Sequence, residues 1–302
     1  MELSIIICTY NRAELLDLCL LSLLSMEGEK KEIEIIVVDN SSIDSTIEVC
    51  KKYKEVLPNF KYIYEGRIGL SSARNKGAEE SQGKWLAYID DDVKVHPNFL
   101  LRALWVTNNF DFDCFGGMCL GWFKYGKPKW LRENTFDKVS PVKKVGLIDT
   151  PIISGMNFFI RKAMLDEFGG FKPYLGMNGG KIAYGEETEI QVLLLKSRYK
   201  LGFDPELQVD HIVMKHKLRF SWHIKKEFTQ GRDNQRYMKR NFVRLLKLSI
   251  VSIGGVLLKR LPSGLLNILS KKKYYWQNFT LDVLSPIIYR SGCWYAFFFI
   301  KD

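Results

Sequence analysis

The chain has 302 residues, 46% of them hydrophobic, and a formal net charge of +11. That length and apolar content suffice for a full core, in one large domain or two smaller ones, and exclude a disordered chain. The six cysteines are scattered, without a CxxC pair or a Cys/His cluster at zinc-ligand spacing, so they read as buried thiols in a reducing compartment rather than a zinc module.

The opening MELSIIICTYNR contains a short apolar strand, LSIIIC (3–8). Its apolar run is too short for a signal peptide and lacks a basic leader, which predicts a cytoplasmic chain. A helical period follows through Leu15, Leu16, Leu20, Leu23 and Leu24. IEIIVVD (33–39) reads as a second buried strand, with Ser42 or Asp44 as cap for a helix over 45–54. FKYIYE (60–65) is a third strand, 70–81 a helix and WLAYID (85–90) a fourth strand. Strands joined by helical crossovers build a doubly wound, mostly parallel α/β sheet with helices on both faces. Further on, CFGGMCLGWF (114–123) and TPIISGMNFFIRK (150–162) read as strands, and a stretch opening on the glycines of 169–180 ends in a helix starting near Gly185.

In such sheets ligands bind beyond the carboxyl ends of the strands. Three polar clusters fall there: Thr9, Tyr10 and Arg12 after the first strand, Asp39, Asn40 and Ser41 after the second, and Asp90, Asp91 and Asp92 after the fourth. Three adjacent carboxylates repel one another, and hard divalent ions such as Mg²⁺ or Mn²⁺ take their oxygens and share them with phosphates. A solvated acidic turn is the competing reading of the run alone. The coincidence of three clusters on one sheet edge favours a pocket.

TYNR (9–12), VVDNSS (37–42), GLSSARNKG (69–77), YIDDD (88–92), SGMNFFIRK (154–162), GGF (169–171) and GEETEI (185–190) resemble, in order, the motifs of family 2 glycosyltransferases with the GT-A fold. The resemblance covers roughly residues 1–215 and implies a catalytic domain over 1–214. Its nucleotide-sugar half would run to about 112 and its acceptor half over about 113–214. By this resemblance, Asp39 accepts a hydrogen bond from the base while Thr9, Tyr10 and Arg12 wall the nucleotide. Arg74 turns positive charge toward the diphosphate, a task that suits a planar guanidinium. Asp90 faces the ribose and Asp92, in the DXD element YIDDD, holds Mn²⁺ or Mg²⁺, which stabilises charge on the leaving diphosphate. Asp91 joins the nucleotide-sugar residues, although alternate side chains of an extended backbone point to opposite sides. His211 lies where some members place a further metal or phosphate contact. GEETEI supplies the base for inverting transfer, which takes the proton of the acceptor hydroxyl. The family usually carries Glu-Asp there; this chain has Glu186-Glu187, and Glu187 is favoured.

Beyond His211 the resemblance fades and the charge changes sign. Residues 1–210 carry 27 Lys/Arg against 30 Asp/Glu, residues 211–302 carry 18 against 4. The expected basic region, 215–302, has helical cationic stretches (WHIKKEF, GRDNQRYMKRNF), an apolar segment (246–269) broken by charges, and KKKYYW beside interfacial aromatics. Its longest uncharged run, 248–258, is too short to span a bilayer, which needs about 20 apolar residues. The mixture predicts a region lying on an anionic membrane, with a helical subdomain packed on the core as the bland alternative and nucleic acid disfavoured for want of a binding module.

The expected activity is thus metal-dependent inverting transfer of a sugar from a nucleotide diphosphate sugar, UDP-linked by preference, to a cell-envelope or lipid-linked saccharide at the inner face of a membrane. A sugar-nucleotidyltransferase would want a glycine-rich loop with a lysine after the first strand, and TYNRAELL has none. A non-catalytic nucleotide-sugar-binding subunit is the alternative from another class; the intact DDD and GEE argue against it.

Overall fold

A computed structural model describes residues 1–178, 184–235 and 241–300. The chain divides into two compact units. The first comprises Met1–Trp122, Phe136–Gly179 and Glu186–Ile212; the second comprises Phe123–Thr135, Val213–Asp302 and a short piece ending at Gly185. Segment 123–135, read from the sequence as part of the catalytic region, therefore groups with the C-terminal residues. Part of the expected glycine-opened stretch, 179–183, and part of the expected cationic helix, 236–240, lie outside the described residues.

The first unit is built on one nine-stranded mixed sheet. Its elements are β1 (Leu3–Thr9), α1 (Ala13–Leu24), β2 (Ile33–Asp39), α2 (Thr46–Lys54), β3 (Phe60–Tyr64), α3 (Leu70–Glu79), β4 (Trp85–Asp90), β5 (Val93–Val95), α4 (Phe99–Asn109), β6 (Cys114–Trp122), β7 (Gly146–Ile148), β8 (Phe158–Arg161), α5 (Lys162–Glu167), α6 (Glu186–Lys196) and β9 (Leu201–Ile212). The order is β3-β2-β1-β4-β8-β6-β9-β5, with β7 beside β9. The first four strands in this order are parallel, and β8 runs antiparallel to β4 and β6. Strands covered on both faces read as near-continuous apolar runs. Accordingly Ile5, Ile7, Ile35 and Val37 enter one core, while Ile6, Ile36 and Val38 enter the other. The buried Glu34 of β2 accepts from the Ser4 hydroxyl of β1 at 2.6 Å. The chain leaves β1 toward β2 and β3, then returns to place β4 on the other side of β1. That reversal opens a crevice at the C-terminal ends of β1 and β4.

One expectation needs revision. Of the expected strand 150–162, only β8 pairs, preceded by a single tight turn at Gly155–Asn157. Pro151 has no N–H to give a ladder. The N–H and carbonyl of Ile153 are both engaged by the Gln191 side chain, each at 2.9 Å, so an amide group stands in for a neighbouring strand. Strand β9 also accommodates Pro205, which has no N–H to give a ladder. The β6–β9 register shifts between Gly117 and Met118, so that Asp204 and Gln208 pair with consecutive residues and Pro205 sits in the bulge.

The second unit holds α7 (Phe220–Asn234), α8 (Phe242–Gly255), a wide π turn (Val256–Arg260), α9 (Leu261–Ser270) and α10 (Trp276–Phe299). Helices α7 and α10 cross at glycines. A Cβ on Gly231 would stand 1.9 Å from the carbonyl oxygen of Tyr289, and one on Gly292 would stand 2.0 Å from that of Phe228. Only residues without a side chain let the two backbones meet so closely. Among the described residues, no helix is long and apolar enough to cross a membrane.

Candidate active site

The site is assembled at the C-terminal ends of β1, β2 and β4. The loop after β1 turns at Asn11, whose φ of 53° lies in the left-handed region that asparagine tolerates. This turn sends Arg12 back over the acidic run. Asp91, nearly buried, accepts from the Thr9 hydroxyl and the Arg12 guanidinium, each at 2.9 Å. It therefore ties the end of β4 to the end of β1 across the crevice. Burial pushes its carboxyl up to about 7, with Asp92 adding to the rise and Arg12 opposing it. Arg12 also reaches Asp92 Oδ2 at 3.4 Å, and His211 Nε2 lies 3.5 Å from the same oxygen. His211 arrives from β9, paired with Val93 of β5.

Asp39 ends β2 with both oxygens engaged: the Ser42 N–H and the Tyr62 hydroxyl each donate at 2.8 Å. Tyr10 is exposed at the lip of the same edge. Asn40, buried behind Asp39, donates to the carbonyls of Glu65 and Arg67 and accepts from the Gly69 N–H. It fixes the entry to α3, the helix that carries Arg74. Tyr62 and Gln191 carry no signal in the sequence; they become partners only through strand register and helix packing.

Arg74 is almost wholly buried, stacked near the rings of Tyr88 and Phe171. It donates to Glu186 at 2.8 Å, to Asp90 at 3.3 Å and to the carbonyl of Gly155 at 3.3 Å. A Cβ on Gly155 would come within 2.6 Å of that guanidinium, so glycine is required at this point of SGMNFF. The expected phosphate-facing arginine thus spans two carboxylates from different parts of the chain. Asp90 keeps a third of its side chain exposed, and burial moves its carboxyl upward against the opposing charge of Arg74.

Glu186 and Glu187 open α6. Glu186 is buried against Arg74, and its second oxygen, Oε2, has no hydrogen-bond partner among the described residues. Burial, with the charge of Glu187 next, pushes its carboxyl up to about 8. Glu187 is only half-buried. One acid of the pair is therefore held by an arginine and the other is accessible.

Among the described residues, no group of three or more His, Cys, Asp or Glu side chains is placed to hold a metal ion. Asp92 and His211 do converge, however, and one or two protein ligands completed by substrate phosphates and water are the common arrangement for Mg²⁺ in nucleotide enzymes. A carboxylate beside an imidazole also suits Mn²⁺. The donor set fits a metal shared with a bound diphosphate.

The sheet and the helices around it are similar to those of known proteins. The structure of a mannosyltransferase from Pyrobaculum calidifontis, in complex with GDP-Man and Mn²⁺, superposes with a TM-score of 0.67 at 16% identity, covering 99% of this chain and 88% of that one. The structure of TarS 1–349 from S. aureus in complex with UDP-GlcNAc gives 0.57 at 16% identity, over 98% and 89%. At these identities the likeness establishes the α/β, GT-A type fold. In sequence, the chain is 27% identical to the succinoglycan biosynthesis protein ExoM of Rhizobium meliloti over 258 residues, 84% of this chain and 81% of ExoM. It is 29% identical to the glycosyltransferase AglE of Haloferax volcanii over 180 residues, 59% of this chain and only 58% of AglE. The profile of glycosyl transferase family 2 matches residues 4–169, more than half of the sequence. That span includes the segments carrying Thr9, Asp39, Arg74 and Asp90–Asp92, and the chain belongs to glycosyl transferase family 2.

Proposed function

We propose that this glycosyltransferase transfers a sugar, with inversion, from a nucleotide diphosphate sugar to a cell-envelope or lipid-linked saccharide at the inner face of a membrane. The observation that carries the mechanism is the unequal environment of Glu186 and Glu187. Arg74 holds the first, which leaves the second, half-exposed at the start of α6, to meet the acceptor. In the proposed step the acceptor oxygen attacks the anomeric carbon as the bond to the diphosphate breaks, and Glu187 takes the hydroxyl proton. Arg74 positions this pair and keeps Asp90 aligned toward the ribose. Asp39 and Tyr10 receive the base, and Thr9 and Arg12, braced by Asp91, form the wall. Asp92 and His211 would hold Mn²⁺ or Mg²⁺, which when bound supplies positive charge to the leaving diphosphate.

The donor class is supported by the nucleotide sugars bound in both structural relatives, and the acceptor class by the role in succinoglycan biosynthesis that names ExoM. A UDP-sugar is the first candidate. Nucleotide sugars are to be screened for hydrolysis and for thermal stabilisation of the protein, with Mn²⁺, with Mg²⁺ and with chelator. The proposal expects one donor to be turned over only with metal present. Full turnover in excess chelator would remove the role given to Asp92 and His211, and stabilisation without any turnover would point to a binding subunit.

A further inference from the structure

The helical stretch formed by α8, the π turn and α9 is apolar on the side where a helix in water is polar. Its inward stripe contains Leu245, Ser249, Val256 and Gly264, with the half-buried Ser252 on the same side. The π turn adds one residue to a turn, which keeps Gly264 in line with Leu245 and Val256 and lets Phe279 and Val283 of α10 pack on it. The serines are satisfied within the unit: Ser249 accepts from the Trp294 indole at 3.0 Å and Ser252 from Arg290 at 3.2 Å. The outward side carries Ile250, Val251, Leu257, Leu258, Leu265 and Leu269, all exposed, with Leu258 at 85% and Leu269 at 84%. An ordinary surface helix has the reverse pattern, and contiguous exposed apolar area of this kind marks an interaction surface.

We propose that this outward face lies in the headgroup boundary of an anionic lipid bilayer. Charge complementarity selects that occupant. Lys247, Lys259 and Lys271–Lys273 are exposed and, among the described residues, none of them is ion-paired; the exposed Trp276 follows the lysine run. A flat apolar band edged by lysines and an indole matches acyl chains beneath anionic headgroups. A second copy of the chain on this face would set these lysines against the same lysines, and a nucleic acid would leave Leu258 and Leu269 facing phosphate. The four cations within the stretch prevent it from spanning a bilayer, and at 1.5 Å per residue a helix of this size lies along the surface for roughly 40 Å.

The inference extends the proposed membrane location. Its test uses neither donor nor acceptor, so its failure and a failure of the transfer reading are told apart. The full-length protein is floated with vesicles of phosphatidylcholine alone or mixed with phosphatidylglycerol, at low and high salt. Wild type is expected to float with the mixed vesicles and to be partly released by salt, as the Debye length falls from about 10 Å at 0.1 M to about 3 Å at 1 M. Leu258→Glu with Leu269→Glu should weaken binding by at least about tenfold, while far-UV circular dichroism stays unchanged. Leu258→Ser with Leu269→Ser replaces it should the charged pair disturb folding. Lys271→Glu combined with Lys272→Glu and Lys273→Glu should abolish the preference for phosphatidylglycerol. The proposal is overturned by wild type that stays with the unbound fraction, by leucine variants that float as wild type does, by vesicle-free dimerisation that these variants abolish, or by RNA that displaces the vesicles.

Discussion

The two units treat the same kinds of residue in opposite ways. In the sheet unit, Ile, Val and Leu fill strand positions covered on both faces, and the polar residues collect where the strands stop. In the C-terminal unit, the helices meet through glycines and serines, and the leucines and isoleucines of α8 and α9 face outward. The first arrangement conceals apolar surface and presents charge in a cleft, which suits chemistry on a phosphorylated donor. The second presents apolar surface under a net positive charge, which suits attachment. Hydrophobic content is therefore no guide to burial until the packing partners of each face are known.

The sharpest way to break this comparison is at the cleft. Glu187→Gln keeps the size of the side chain but accepts no proton at neutral pH, and turnover is expected to fall by about 10²–10⁴-fold. Affinity for the nucleoside diphosphate should hardly change, because those contacts belong to other residues. Steady-state kinetics beside equilibrium titration separates the two. If Glu186→Gln costs more turnover than Glu187→Gln, the assignment of the base is reversed.

Arg74→Met tests whether the sheet unit depends on its buried cation. Glu186 and Asp90 would lose their shared hydrogen-bond donor, and leaving a buried carboxyl without its partner costs about 1–3 kcal/mol. Denaturant unfolding should report that loss. A variant as stable as wild type would show that the triad is dispensable for folding.

The matching test in the other unit is Gly292→Ala, which forces a Cβ against the Phe228 carbonyl and should destabilise by about 1–3 kcal/mol. Nucleotide affinity is expected to survive it. Joint loss of helix packing and nucleotide binding would end the separation into an attachment unit and a chemical one.

A smaller effect concerns pH. Glu186 holds its proton up to about 8 in the fold but only to its ordinary 4.5 when unfolded. Between these values the folded chain binds more protons, so this group's contribution to stability is complete below 4.5 and is lost as pH rises through 8. Glu186→Gln has no proton to lose, and its melting temperature should fall less steeply over this range than that of wild type. Parallel profiles would contradict the raised pKa.

The least effect is expected at Leu258→Lys. A side chain 85% exposed contributes little to the core, and stability should change by no more than about 0.5 kcal/mol. A large loss would mean that the outward face of α8 and α9 has an intramolecular role.

The order of strands and helices through β4 was legible in the sequence because strands buried on both faces are near-continuous apolar runs and the turns between them are polar. The same rule exposed the clusters at Thr9–Arg12, Asp39–Ser41 and Asp90–Asp92, since polar residues gather most readily where the strands end. Local pattern says nothing, however, about which distant groups will meet. Gln191 replaces a strand beside Ile153, Pro205 is absorbed by a bulge, and Tyr62 reaches Asp39 through register alone. Arg74 offered a positive charge in the sequence. Only the tertiary structure closed it between Asp90 and Glu186, and so distinguished two adjacent glutamates that composition and spacing leave equivalent. The physical reason is that burial and ion pairing are properties of neighbours in space, and those neighbours come from distant chain segments, as Arg74 and Glu186 do at 112 residues apart.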